Sequence, residues 1–158
     1  GGATPHYRPG KKKVKRGAPI LLDLGVKYEG YCSDMTRVIS LGAMPAKIAK
    51  LYEIIREAHD EALQCCKVGI SLDVLEKKAR EVLAFYGYEK EFIHSLGHGV
   101  GIEVHEGPPV SRRSRATLEE GMVFTIEPGV YLPGVGGVRY ENMVHMGKKG
   151  PRLLSPPE

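Results

Sequence analysis

The chain has 158 residues, 42% hydrophobic and 27% charged, and carries a formal net charge of +4 at pH 7. That length suits one domain with a sizeable core, and no apolar run approaches the roughly 20 residues needed to span a bilayer, which excludes a membrane-spanning helix in these residues and leads us to expect no membrane partner. The three cysteines (Cys32, Cys65, Cys66) are odd in number and two are adjacent, which excludes a disulfide framework and leads us to expect a reducing, cytoplasmic setting.

Much of the positive charge lies in Lys11, Lys12, Lys13, Lys15 and Arg16. No aromatic side chain is interleaved there to stack on bases, so the run reads as a solvated loop and no nucleic-acid partner is expected. Residues 18–28 and 31–41 alternate apolar and polar side chains around a turn at Tyr28–Gly30, the pattern of a β-hairpin. Ala46–Val68 changes to helical spacing, with Ile48, Leu51, Ile54, Ile55, Ala58, Ala62 and Leu63 on one face between Pro45 and Gly69. Ser71 is placed to cap a second helix whose stripe is Leu75, Ala79, Val82, Leu83 and Phe85, closed by Gly87. Strands are expected at 92–94, 99–105, 121–131 and 137–147, and Pro151–Glu158 as an extended tail. Hairpins at both ends with two helices between them indicate an α+β domain, helices packed on an antiparallel sheet.

Each hairpin carries two acids on opposite arms: Asp23 and Asp34 on the first, Glu127 and Glu141 on the last. A short loop near Tyr28–Gly30 sets Asp23 and Asp34 directly opposite or one diagonal apart, and an odd loop around Gly134 aligns Glu127 with Glu141. A one-residue slip would separate either pair. Four carboxylates brought together would repel one another without cations. With His98 they form an oxygen-rich shell without thiolate, suited to two divalent ions such as Mn²⁺, Co²⁺, Zn²⁺ or Fe²⁺. Such a pair, about 3.5–4 Å apart, can lower the pKa of a shared water and polarise a carbonyl, which points to hydrolysis of an amide, ester or phosphate.

Three histidines, His94, His98 and His105, fall in a glycine-rich stretch that reads as part of a site. His59, among Glu57, Asp60 and Glu61 on the first helix, reads as surface, and His145 receives no role.

The segments LLDLGVKYEGYCSDMTR, HSLGHGVGIEVHEGPP and FTIEPGVYLPGVGGVRYENMV resemble those of the pita-bread metallopeptidases. That family includes methionine aminopeptidases, Xaa-Pro aminopeptidases and prolidases, and the resemblance runs from His6 to about His145. His94, the Ser33–Arg37 run, Gly137–Asn142 and PHYRP at Pro5–Pro9 resemble the Xaa-Pro branch. The resemblance implies a curved antiparallel sheet with helices on its outer face. It also implies two metal ions, Mn²⁺ first among them, one chelated by Asp23 and the other by His98 and Glu127. Asp34 and Glu141 would bridge them and hold an attacking hydroxide. Glu127 would move the proton, His94 and His105 would contact the scissile carbonyl, and His6 would line the proline side. Tyr131 and Arg139 would support the cluster or the substrate. An Xaa-Pro bond is a tertiary amide without an N–H, and a shaped pocket suits it better than backbone pairing.

Members of this family carry further elements before the equivalent of Pro5, and they are often dimeric. The chain is therefore expected to be a C-terminal catalytic-domain fragment, less stable and less active alone, with a proline-containing peptide as its partner and a homodimer left open. Within enzymes the alternative is a methionine aminopeptidase; outside them it is a non-catalytic peptide-binding module of the same fold.

Overall fold

The computed structural model describes residues 3–6, 10–11 and 13–155. Strands β1 (Pro19–Leu24) and β4 (Met35–Ser40) pair antiparallel, as do the short strands β2 (Lys27–Tyr28) and β3 (Tyr31–Cys32). Asp23 faces Thr36 and Tyr28 faces Tyr31, so one register runs through both pairs and they form a single hairpin. Its two-residue turn is Glu29–Gly30, both at positive φ (48° and 89°), the conformation whose twist matches that of the flanking strands.

Helix α1 (Ala46–Gln64) follows Pro45 and ends short of Val68, because the Cys65 and Cys66 amides close onto the carbonyls of Ala62 and Leu63 respectively. Helix α2 (Leu72–Phe85) begins after Ser71, whose hydroxyl bonds the Asp73 carboxylate rather than a helix N–H. Phe85 departs from the expected apolar stripe. It is 83% exposed and stacks edge-on against Tyr86.

The remaining strands are β5 (Gly97–Gly99), β6 (Glu106–Val110), β7 (Val123–Ile126), β8 (Gly129–Leu132), β9 (Gly136–Arg139), β10 (Asn142–Gly147) and β11 (Gly150–Leu153). A five-stranded sheet runs β11-β10-β7-β5-β6, and every pairing within it is antiparallel. Asn142 faces Ile126 and Arg139 faces Gly129, so β7–β8 and β9–β10 are two arms of one long hairpin.

Three expected elements differ. Residues 92–94 form no strand, because the Arg80 guanidinium takes the carbonyls of Phe92 and His94; a 3-10 turn at Glu89–Glu91 precedes them. The strand expected at 99–105 stops at Gly99. Beyond it the Gly101 and Ile102 carbonyls accept from the first hairpin, from the Cys32 amide and Lys27 Nζ. The tail from Pro151 is not free, since Pro151 and Arg152 lie in β11 against Met146 and His145; residues 156–158 fall outside the described residues.

The helices pack on the sheet's outer face, giving the α+β pita-bread architecture. Leu51, Ile55 and Ala58 of α1 and Leu75, Ala79 and Leu83 of α2 join Leu96, Phe124, Ile126, Val130, Val138 and Val144 in one buried cluster. Each fully buried Leu or Ile contributes roughly 1.5–3 kcal/mol to holding that layer in place. Among the described residues no helix is long and apolar enough to cross a membrane.

Candidate metal centre

The hairpin registers decide where the acids stand. Asp34 lies two residues before Thr36, the partner of Asp23, so the two aspartates are diagonal neighbours on one face. Glu127 and Glu141 fall between the Ile126–Asn142 and Gly129–Arg139 pairs, which sets them directly across the long hairpin from each other. The Glu141 amide donates to the Thr36 carbonyl at 3.3 Å, tying the two hairpins together at the acids. His98 arrives on β5, beside Gly97. A Cβ at Gly97 would fall inside contact distance of the Thr125 carbonyl oxygen, so only glycine lets β5 come this close.

Ligand atoms of Asp23, Asp34 and Glu141 lie within 4.8 Å of one another; so do those of His98, Glu127 and Glu141, and those of Asp34, His98 and His105. Glu141 is common to the first two groups. His98 Nε2 stands 3.2 Å from Glu127 Oε1 and 3.7 Å from Asp34 Oδ2. These side chains line a cleft of about 420 Å³ together with His6, Cys32, Val104, His105 and Arg139.

Burial and the neighbouring carboxylates dominate the electrostatics. Burial, then Glu127 and Asp34, push the Glu141 carboxyl well above its ordinary range, against a hydrogen bond from the Thr36 hydroxyl at 2.6 Å. Asp34 is also raised, by burial and then by Asp23. Burial works against ionisation of Glu127 too, but the His98 hydrogen bond and the nearby His94 and Arg139 hold it below the usual range. Burial would lower His98, yet its bonds to Glu127 and the Gly99 carbonyl and the charge of Asp34 raise it to about 9.

Glu141 Oε1 is buried with no hydrogen-bond partner. An orphaned carboxylate oxygen among three further acids and an imidazole fits a divalent cation, and the all-oxygen-and-nitrogen donor set fits a hard or borderline one.

The remaining expected residues fall in two groups. His6 and His105 line the cleft, and the His105 ring stacks against His98 with centroids 4.3 Å apart. His94 and Tyr131 lie outside its lining and meet each other, His94 Nε2 being 3.0 Å from the Tyr131 hydroxyl. Arg139 joins the groups. It is 2% exposed and donates to the Asp23 carboxylate, to Thr36 Oγ1 at 2.9 Å and to the Tyr131 hydroxyl at 3.1 Å. It is a buried tether across the two hairpins, not a surface ion pair.

The model of metallopeptidase family M24 matches residues 1–148. The chain belongs to this family. It is 46% identical over 156 residues to an Xaa-Pro dipeptidase of Pyrococcus horikoshii and 44% identical to one of Pyrococcus furiosus, covering 99% of this chain but 44% and 45% of those proteins. The chain thus spans less than half the length of these relatives. Among solved structures, the prolidase from Pyrococcus furiosus superposes with a TM-score of 0.96 at 44% identity, covering 99% of this chain and 47% of that one. The X-Pro aminopeptidase from Thermotoga maritima superposes at 0.97 with 42% identity, covering 99% and 45%.

In this M24 chain several supporting residues escaped the sequence reading. Thr125 Oγ1 donates to Glu127 Oε1 at 3.2 Å and accepts the His98 amide. Arg37 donates to the Glu141 carbonyl and to Asn142 Oδ1, and the Asn142 amide meets His59 Nε2 at 3.1 Å. His59, expected at the surface, is 1% exposed and packs edge-on against Tyr140. Its place four residues after Ile55 on the buried face of α1 was the available signal.

Proposed function

We propose that residues 1–158 form the catalytic domain of a dinuclear metallopeptidase that hydrolyses Xaa-Pro bonds, at the N-terminus of peptides or in dipeptides. The observation that carries this reading is the meeting of four carboxylates and His98 around one cleft, with a buried carboxylate oxygen left for a cation. Asp23, Asp34, His98, Glu127 and Glu141 would hold two divalent ions, for which Mn²⁺ is our choice on this oxygen-rich donor set. Bound there, such a pair supplies a Lewis acid for the scissile carbonyl and a water of lowered pKa.

The chain's own residues do the rest. Glu127, whose Oε2 lies 3.9 Å from the buried Arg139 Nε, takes the proton of the attacking water and returns it to the departing proline nitrogen. His105, a cleft-lining side chain whose ring packs against His98, would donate to the developing oxyanion. His94, whose pKa burial lowers, is neutral near pH 7; outside the cleft lining, with its Nε2 on the Tyr131 hydroxyl, it supports the site as a neutral hydrogen-bonding group rather than as a cation. His6 bounds the proline side. The Xaa-Pro specificity rests on the relatives' activities and on the absence of an N–H in the bond, which removes any need for backbone pairing. The free cysteines suit a reducing, cytoplasmic compartment.

The test is hydrolysis of an Xaa-Pro-Xaa peptide and a Met-Ala peptide by the chain, with and without Mn²⁺, beside Asp34→Ala. Metal-dependent release of the first residue from the proline peptide, lost in Asp34→Ala, is the expected result. Preference for Met-Ala would make the chain a methionine aminopeptidase. Binding of the peptide without cleavage would make it a binding module.

A further inference from the structure

One buried ion pair lies away from the acids and serves no role in the chemistry above. Glu76 and Arg80 are one turn apart on α2, with Arg80 Nε 2.6 Å from Glu76 Oε1; the Glu76 side chain is 2% exposed and that of Arg80 is 11%. Burying such a pair is costly unless the remaining donors and acceptors are also satisfied. Here they are satisfied by backbone. Arg80 donates to the carbonyls of Phe92 and His94, each at 3.1 Å, and its guanidinium lies 4.4 Å over the Phe92 ring. Glu76 Oε2 accepts the amides of Leu96 at 3.3 Å and of Arg112 at 3.1 Å. Leu96 in turn accepts the amide of Glu127 at 2.8 Å.

We propose that the Glu76–Arg80 pair positions the metal centre from behind. It pins the segment from Phe92 to Leu96, and with it His94, His98 and, through Leu96, the backbone of Glu127. The segment has few strand hydrogen bonds of its own, β5 being three residues long, so side chains on α2 supply the restraint that a sheet ladder would otherwise give. The Arg112 amide fastens the same carboxylate to the chain just beyond β6, the strand beside β5. Glu76 and Arg80 are positioning residues, since neither lines the cleft.

This inference rests on the metal reading of the site, and the experiment separates the two. Mn²⁺ is titrated calorimetrically into the full chain, into Glu76→Gln and Arg80→Lys, and into Leu118→Ala. Leu118 is a fully buried core residue that serves as a control for general destabilisation. Arg80→Lys keeps the charge opposite Glu76 but forfeits the paired carbonyl bonds. Glu76→Gln keeps the shape but removes the charge opposite Arg80. Both variants are expected to weaken Mn²⁺ binding about tenfold, while Leu118→Ala, melting at a similarly lowered temperature, binds as the parent does. Should Leu118→Ala weaken binding equally, or the two α2 variants bind like the parent, the positioning role is overturned and the metal reading stands. A folded parent that binds no Mn²⁺ overturns both.

Discussion

Glu141 shows how one residue can oppose stability and still be retained. Its carboxylate is 2% exposed, its Oε1 has no partner, and burial together with Glu127 and Asp34 resists its ionisation. In metal-free protein Glu141→Gln is therefore expected to stabilise the fold by about 1 kcal/mol near pH 7.5, because the parent carboxylate must take up a proton as it is buried, whereas the amide is neutral already and its oxygen still accepts from Thr36. In the presence of Mn²⁺ the same change is expected to lower the melting temperature relative to the parent, since a shared ligand is lost. Urea unfolding with and without Mn²⁺ measures both signs. A Gln variant less stable than the parent in EDTA would show that Glu141 is satisfied without a cation. Arg139 is the counterpart. It neutralises part of the acid cluster whether or not a cation is present, by touching Asp23, Thr36 and Tyr131 from one buried guanidinium.

The elements deliver these residues through register and close approach. The acids were legible in the sequence because strand alternation and a short turn near Tyr28–Gly30 fix which side chains share a face; the structure's Glu29–Gly30 turn then selects the diagonal Asp23–Asp34 arrangement, and the long hairpin opposes Glu127 to Glu141. What alternation could not show was the backbone's choice of partner. Phe92 and His94 give their carbonyls to Arg80, and residues 101–102 give theirs to the first hairpin, so neither stretch forms the expected strand. Pro151, expected at the start of an extended tail, is accommodated in β11 because that strand is the sheet's edge. His59 was hidden by acidic neighbours in sequence although its helical position faces the core. Gly97 is the sharpest case of close approach. Gly97→Ala is expected to cost about 1–3 kcal/mol by thermal melting, since the Thr125 carbonyl must give way. Because Thr125 also holds His98 and Glu127, Mn²⁺ affinity is expected to fall with it; unchanged affinity would mean the strand shifts without moving the ligands.

Across the whole molecule, the cluster couples folding to pH and metal. In metal-free protein Glu141 and His98 both hold their protons more tightly than they would in an unfolded chain, Glu141 above its ordinary carboxyl range and His98 to about 9. A group with a raised folded pKa lends stability below its unfolded pKa and loses it as the pH climbs through the folded one, so both act in the same direction. The metal-free melting temperature is expected to fall from about pH 6 to about pH 9. Metal ligation needs the deprotonated forms, so the gain in melting temperature on adding Mn²⁺ is expected to grow over the same interval. A metal-free melting temperature that rises over it would place the stabilising charges elsewhere. Two hairpins, one helix layer and a short glycine-bounded strand converge on a single cleft whose acids call for paired cations.

The most direct test of that claim is the number of Mn²⁺ ions per chain, measured by elemental analysis after equilibrium dialysis of the folded protein. Two ions per chain, with loss of both or all but one in Asp34→Ala, is the result predicted by ligand groups that share Glu141. A folded chain that retains none would contradict the account, and the four acids would then need another explanation for standing together.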